Sequence, residues 1–207
     1  MGLSRVGIWL CVALCAWLAA TMPAATAGPA AAAGDWGLSQ LMQELAQVKS
    51  ASAQFTERKT MHMLSAPLVT SGTLAYVAPD LVQKITLTPV PERFVLEGDK
   101  IVIVDGPDNQ VHRVSLADYP QVGGLVEGIR ATLAGDLPTL ERFYAVQLTG
   151  SAADWQLLLQ SKGADLTRFV KWIRIQGSGN RIGAIATESG NGDLSEMSIV
   201  EDVGNAH

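Results

Sequence analysis

The sequence predicts an α+β fold in which one strongly curved antiparallel sheet of about eleven strands carries three helices on its concave side. From Ala51 onward, apolar and polar residues alternate over short runs, and Gly, Pro, Asn and Asp residues separate the runs. Helical spacing of apolar residues is confined to two regions, 35–48 and 120–143. Short strands joined by tight turns favour an antiparallel meander, and a sheet this wide must curve to bury one face.

The first 27 residues have the features of a secretory signal peptide. Arg5 precedes an apolar stretch, and Ala25-Thr26-Ala27 provides an A-x-A cleavage signal. The alternative is a retained membrane anchor, but the apolar stretch is shorter than the ~20 residues that span a bilayer. Both cysteines lie inside this segment, so the domain that follows must be held together by burial alone. We expect a signal peptide at 1–27, a leader of small residues at 28–34 and one domain at 35–207.

The domain is predicted to begin with an amphipathic helix and six strands. Apolar residues recur at helical spacing from Leu38 to Val48. The period then changes to two, which places Ala53, Phe55 and Glu57 on one face of the first strand. The later strands of this half are predicted around Leu74 to Ala78, Ile85 to Leu87, Phe94 to Leu96, Ile101 to Val104 and Val111 to Ser115.

The middle of the chain interrupts the strands with two helices, Pro120 to Ala134 and Leu137 to Phe143. Three glycines weaken the first helix by about 1 kcal/mol each relative to alanine. Such a helix stabilises poorly, but it can approach a partner surface closely and can open locally. Strands are then predicted at Tyr144 to Thr149, Trp155 to Gln160, Trp172 to Gln176, Ile182 to Thr187 and Leu194 to Glu201.

The charge balance and the motif content argue against several functions. The chain has 15 basic and 20 acidic residues, and an acidic surface repels nucleic acid. His62, His112 and His207 are far apart without ligands at metal spacing, so no metal site and no cofactor are predicted. Motifs for a nucleophile elbow, a phosphate loop or a dinucleotide fold are absent from the sequence, and Glu57 beside Arg58 is interpreted as an ordinary solvated group. We therefore expect a binding protein and not an enzyme.

Several short motifs follow one another along the domain. They are Ala53-Gln54-Phe55-Thr56-Glu57, Gly72-Thr73-Leu74-Ala75-Tyr76, Ala78-Pro79-Asp80-Leu81-Val82-Gln83-Lys84, Leu96-Glu97-Gly98-Asp99-Lys100, Gly135-Asp136 and Gly192-Asp193-Leu194-Ser195-Glu196-Met197. In this order they resemble the LolA family of outer-membrane lipoprotein carriers, and most closely its divergent LolA-related branch. Each motif is weak alone, and their order and spacing over nearly the whole domain carry the resemblance.

The resemblance implies an incomplete antiparallel barrel of the LolA/LolB type, with helices that form a lid over an apolar cavity. It implies a periplasmic monomer that accepts the acyl chains of lipoproteins from an inner-membrane ABC exporter and passes them to an outer-membrane acceptor. Typical carriers have an arginine before the proline that latches the lid, and this chain has Ala78 there. The lid is then expected to open more easily, or the cargo to differ.

The resemblance and the alternation together give two sets of candidate site residues. Plain core packing is the competing interpretation for each of them, and Val82 is the strongest candidate because it matches an apolar family position after the proline. The predicted cavity residues are Phe55, Leu74, Tyr76, Val82, Phe94 and Leu96, and the predicted lid residues are Leu41, Leu45, Leu125, Ile129 and Leu133.

Other functions are compatible with the sequence. A regulatory module of the same fold could sense envelope lipids or mislocalised lipoproteins. A carrier could instead transport a fatty-acid-like or polyene-like lipid. A secreted hydrolase is disfavoured because no nucleophile and base can be paired.

Overall fold

The computed structural model describes residues 36–106, 110–118 and 120–201, and of residues 118 and 120–122 the backbone alone. The predicted signal peptide and leader lie outside the described residues. No helix in these ranges is both long enough and apolar enough to cross a bilayer.

The described strands form one antiparallel sheet of eleven strands in the order β6-β5-β4-β3-β2-β1-β11-β10-β9-β8-β7, so the predicted fold class is confirmed. The first meander runs through β1 (Ser50–Thr60), β2 (Leu68–Val77), β3 (Leu81–Thr88), β4 (Glu92–Glu97), β5 (Lys100–Asp105) and β6 (Gln110–Ser115). The second runs through β7 (Tyr144–Ser151), β8 (Asp154–Ser161), β9 (Val170–Ser178), β10 (Arg181–Ser189) and β11 (Leu194–Glu201).

Within the described ranges, four α-helices accompany the sheet. The first three match the predicted helices. The fourth is a single turn after β8 that the sequence did not predict, and it buries Leu166. The helices are α1 (Leu38–Ala46), α2 (Pro120–Ala134), α3 (Leu137–Phe143) and α4 (Ala164–Thr167), and a 3-10 turn (Leu116–Asp118) precedes α2.

The connection between the two meanders explains where the helices lie. Strands β1 and β11 pair with each other, which leaves β6 and β7 as the two edges of the sheet. These edge strands follow one another in the sequence, so α2 and α3 must carry the chain from one edge to the other. Residues of α2 line one cavity on the concave face together with residues of eight strands. The result is an incomplete, curved barrel whose opening is bridged by helices.

Local sequence determines the ends of the middle helices. Gly135 ends α2 with a φ of +67°, and the amide of Asp136 donates to the carbonyl of Ala131 at 2.8 Å. Asp136 then caps α3, since its carboxylate accepts from the amide of Thr139 at 3.1 Å. That hydrogen bonding holds the pKa of Asp136 below its ordinary value. The Gly135-Asp136 pair therefore makes the sharp turn between the two helices.

Buried side chains form two clusters. The first, here called the main core, lies under β7–β9 and includes buried residues of α1 and α3; the second, here called the small core, lies between β4, β5 and α2. The main core comprises Leu41, Met42, Leu45, Ala131, Leu140, Tyr144, Trp155, Leu157, Leu159, Leu166, Val170, Ile173 and Ile175, and the small core comprises Leu96, Ile101 and Val126.

Candidate functional site

An apolar cavity of about 340 Å³ lies between the concave face of the sheet and α2. This volume is at the lower end of the ~300–1,000 Å³ that small-molecule sites occupy. Residues from both meanders and from α1 and α2 form its walls. The apolar lining consists of Leu45, Val48, Ala51, Ala53, Leu74, Ala75, Tyr76, Val82, Phe94, Leu125, Gly128, Ile129, Leu133, Leu159, Ile173, Ile175, Ile182, Ile185, Met197 and Ile199.

The structure brings most of the predicted site residues to this cavity. Leu96 is buried in the small core, Leu41 is buried in the main core, and Phe55 is 3% exposed beneath another side chain, so these three are not part of the lining. The predicted residues that do line it are Leu74, Tyr76, Val82 and Phe94 from the sheet and Leu45, Leu125, Ile129 and Leu133 from the helices.

The sequence interpretation missed the wall that the second meander supplies. Residues two apart in β9 and β11 point to the same face, and in β10 a register shift between Ile182 and Ala184 brings Ile182 and Ile185 to that face although they are three apart. The apolar residues of this face reach the cavity from the other side. The alternation in these strands was the available signal. It was not used because the pairing of β1 with β11, which places the two meanders side by side, is not visible in local sequence. The missed residues are Ile173, Ile175, Ile182, Ile185, Met197 and Ile199.

Helix α2 sits directly on the main core at Tyr144. The Tyr144 side chain is fully buried, and its hydroxyl donates to the carbonyl oxygen of Gly124 at 3.3 Å. Burial raises the pKa of Tyr144. A Cβ at Gly128 would lie 2.4 Å from Cε2 of Tyr144, so glycine is what allows this approach. The glycines that weaken α2 therefore also let it contact the core closely.

Arg130 connects α2 to the opposite side of the opening. Its guanidinium pairs with Glu127 one turn away and donates to the carbonyl oxygen of Gly98, in the β4–β5 turn, at 3.2 Å. The hydrogen bond to Glu127 and the charges of Glu127 and Asp80 outweigh partial burial and raise the pKa of Arg130. A lid helix is thus bonded to the rim of the sheet, although Ala78 cannot make such a bond with its side chain.

One part of the cavity floor is polar and centres on Glu57. The carboxylate accepts from Lys84 Nζ at 2.5 Å, from the Ser195 hydroxyl at 2.6 Å and from the Thr70 hydroxyl at 3.3 Å. Glu57, Thr70, Lys84 and Ser195 are called the polar cluster below. Burial pushes the pKa of Glu57 up, but the bonds from Lys84 and Ser195 and the charges of Lys84 and Lys59 outweigh it, so the pKa lies below its ordinary value.

The prediction that Glu57 is a solvated surface group is wrong. Glu57 is 5% exposed because it shares the inner face of β1 with Ala53 and Phe55. Pairing it with its neighbour Arg58 ignored the two-residue period of the strand, which turns Arg58 to the outside. The same alternation that predicted a buried Phe55 could have located Glu57.

Gly72 makes room for the ion pair between Lys84 and Glu57. Gly72 stands opposite Phe55 in the β1–β2 ladder and has no side chain to cover the ring. Lys84, on the next strand, lies over that ring with its Nζ 4.8 Å from the centroid and reaches Glu57 beyond it. A Cβ at Gly72 would also lie 1.8 Å from the carbonyl oxygen of Ile85. Phe55 is therefore covered by Lys84, while the amine of Lys84 stands at the cavity.

The described side chains do not form a metal site, because no three His, Cys, Asp or Glu residues among them come together. His62 has a structural role instead. Its backbone amide and its Nδ1 both lie 2.9 Å from the Asp193 carboxylate, which ties the loop after β1 to the turn before β11.

Fold and cavity together define a class of protein, an open antiparallel barrel with helices over an apolar cavity. The sequence model of the family described as "Outer membrane lipoprotein carrier protein LolA-like" matches residues 27–205. The chain therefore belongs to this LolA-like family, and the resemblance noted in its motifs is confirmed. No curated protein matches the chain in sequence.

Solved structures resemble the chain only loosely. A LolA superfamily protein from Nitrosomonas europaea is 10% identical, with a TM-score of 0.42 over 77% of this chain and 90% of that one. A DUF1329 family protein from Desulfovibrio piger is 10% identical, with a TM-score of 0.44 over 82% and 92%. The MucA/MucB complex of Pseudomonas aeruginosa contains a chain 10% identical, with a TM-score of 0.42 over 82% and 59%. Family membership rests on the sequence match alone.

Proposed function

We propose that this protein is a periplasmic carrier that shelters the acyl chains of lipoproteins, or of a related lipid, in its cavity and moves them from the inner to the outer membrane. One observation carries the proposal: the space between the sheet and α2 is walled almost entirely by apolar side chains of both meanders. Burying a methylene there is worth about 0.8 kcal/mol, so an apolar chain gains several kcal/mol from a few carbons. Membership of the family supports the same role.

Release sets an upper limit on how tightly such a carrier can hold its cargo. A 16-carbon chain that was fully enclosed would gain about 12 kcal/mol and would leave very slowly. A lid of modest stability limits this affinity, because it recovers contacts with the sheet when the cargo has gone. Helix α2, with its glycines and its single bond from Arg130 to the rim turn, has this character. An inner-membrane ABC exporter as donor and an outer-membrane acceptor complete the proposed route.

Mass spectrometry of lipid that co-purifies with the periplasmic protein tests the proposal. Stoichiometric acyl-chain ligand is expected, whereas a ligand-free protein with esterase activity would overturn it. Following lipoprotein localisation after depletion of the protein separates the two cargo classes. Mislocalised lipoproteins are expected for a lipoprotein carrier, and unchanged sorting would move the assignment to the related lipid.

The variant Val82→Glu examines the cavity directly. Val82 is half-buried at the cavity wall, and a carboxylate there would have to lose its hydration when an acyl chain entered. We expect acyl-chain affinity to fall at least about tenfold while the fold is kept. Val200→Glu makes the same change at a residue that is 69% exposed, and it should bind as the wild type does. Equal binding by both variants would contradict the assignment of the cavity.

A further inference from the structure

The polar cluster is unusual for the floor of an apolar cavity, because burying charged groups next to apolar walls costs free energy of desolvation. Lys84 is the only basic side chain among the described residues that line the cavity. Glu57 also lines it, and the remaining acidic lining residue, Glu201, is paired with Arg181 at 3.2 Å. A pure hydrocarbon has no group that an ammonium in this position could bind.

The polar cluster has more unused hydrogen-bond donors than unused acceptors. A carboxylate offers about four acceptor positions, and Glu57 already has Lys84, Ser195 and Thr70 as donors, with Lys59 Nζ at 3.5 Å. The ammonium of Lys84 has three N–H groups. Among the described residues it bonds one oxygen of Glu57 and faces the Phe55 ring. What the cluster can still offer a ligand is therefore a charged donor, not an acceptor.

Charge favours an anionic ligand as well. Two cations, Lys84 and Lys59, lie beside the single carboxylate of Glu57. These three side chains together carry a net positive charge. Lys59 is at the margin, with 36% of its side chain exposed, and it is not part of the cavity lining. The cation that a bound molecule would meet is Lys84, whose side chain is 22% exposed.

The neighbours of Lys84 determine where an attached tail would go. Its cross-strand partners are Leu74 on β2 and Phe94 on β4, and both line the cavity. A head group at Lys84 would therefore place its tail between these two side chains and the apolar face of α2 at Leu125 and Ile129. The volume of about 340 Å³ suits a single small amphiphile.

We propose that the cavity selects single-chain amphiphiles that end in a carboxylate, and that Lys84, held over the Phe55 ring by Glu57, binds this carboxylate. This inference rests on the proposed carrier function and specifies its cargo as the fatty-acid-like class. Glu57 is a positioning residue, because it fixes the ammonium without touching the ligand. Ser195 and Thr70 hold Glu57 in turn.

The test compares two probes of equal chain length, hexadecanoate and hexadecan-1-ol, by titration calorimetry of the full protein at pH 8 below the aggregation concentration of each probe. The wild type is expected to bind hexadecanoate at least about tenfold more tightly, the effect of one hydrogen bond to a charged group. Equal affinity for the two probes would overturn the carboxylate site and leave the carrier function standing. Failure to bind either probe would overturn both.

Variants then assign the preference to Lys84. The single change Lys84→Met would leave Glu57 buried without its main partner, so the double variant Glu57→Gln with Lys84→Met is preferred, since uncharged replacements for a buried ion pair are often tolerated. The double variant should lose the preference for hexadecanoate and bind hexadecan-1-ol as the wild type does. A retained preference would overturn the assignment. Thermal unfolding verifies that the variant is folded.

A matched control is available in the same sheet. Lys171 pairs with Glu188 at 2.7 Å across β9 and β10, in a Lys–Glu pair that does not line the cavity. The double variant Glu188→Gln with Lys171→Met removes the same pair of charges and should keep the full preference for hexadecanoate. Loss of the preference in this control would show that removing any Lys–Glu pair of the sheet abolishes it, and would overturn the assignment to Lys84.

Discussion

The two halves of the sheet are packed differently. Under β7–β9 the inner residues are shut away from water, with Leu157 and Leu159 fully buried and Trp155 at 1% exposure. Along β3 and β5 the inner residues are mostly half-buried, and the small core holds them only near Leu96. The fully packed half can anchor helices, whereas the half-packed wall has apolar surface that no other part of the described chain covers. The densely packed half maintains the fold, and the half-packed wall adds most of the incompletely buried lining of the cavity, although Leu159, Ile173 and Ile175 of the main core also line it.

The largest expected effect compares one leucine from each half. Leu157→Ala removes a fully buried side chain from the main core, where close packing prevents collapse, and should cost about 4 kcal/mol of unfolding free energy. Leu96→Ala removes an equally large side chain beside the cavity and should cost about 2 kcal/mol, because fewer neighbours lose contacts. Urea denaturation of both variants measures the difference. Equal losses would show that the two halves are packed alike.

Two glycines of α2 give a second comparison, within one helix. Gly128→Ala forces a methyl group against the buried Tyr144 ring and should cost about 1–2 kcal/mol. At Gly123 no described atom lies within 4 Å of an added Cβ, so Gly123→Ala should stabilise by about 0.5–1 kcal/mol through helix propensity. Thermal unfolding tests the opposite signs. The same sign for both would mean that α2 does not rest on Tyr144.

A substitution at Arg130 tests how α2 is held to the β4–β5 turn, on the less densely packed half of the sheet. Arg130→Gln removes the hydrogen bond to Gly98, worth about 1 kcal/mol, so the amides of α2 should exchange with deuterium about fivefold faster. Arg168→Gln is the matched control, because Arg168 makes an ion pair three residues away at 3.8 Å and its side chain is 76% exposed. Unchanged exchange in Arg130→Gln would mean that this bond does not restrain the lid.

The smallest expected effect is on the pH dependence of stability. The pKa of Glu57 is lower in the folded chain than its ordinary value of 4.5, so the charged form stabilises the fold. This contribution is fully present above pH 4.5 and is lost as the pH falls through the folded pKa. Stability measured from pH 7 down to pH 3 should therefore fall less steeply for Glu57→Gln than for the wild type. An identical slope would contradict a charged Glu57 in the fold.

Alternation and turn residues were enough to predict the strands, and helical spacing predicted α2 and α3 at their observed bounds. The single turn of α4 gave no such signal, since one turn contains too few residues for a period. The cavity wall contributed by the second meander depended on the β1–β11 pairing, which joins residues far apart in sequence. Phe55 illustrates the same limit: its inward direction was predictable, but the lysine that covers it comes from another strand.

The β1–β11 pairing also has a consequence for the order of folding. Each meander contains neighbouring strands and can assemble early, but Glu57 and Ser195, which are hydrogen-bonded across this seam, are 138 residues apart. Closing so long a loop carries a large entropic cost, and distant contacts of this kind make folding slow. Pulsed hydrogen exchange during refolding should show the amides of this seam protected last. Until the seam forms the two walls are separate, so a chain that is still folding exposes the apolar inner faces of both meanders to aggregation with other proteins.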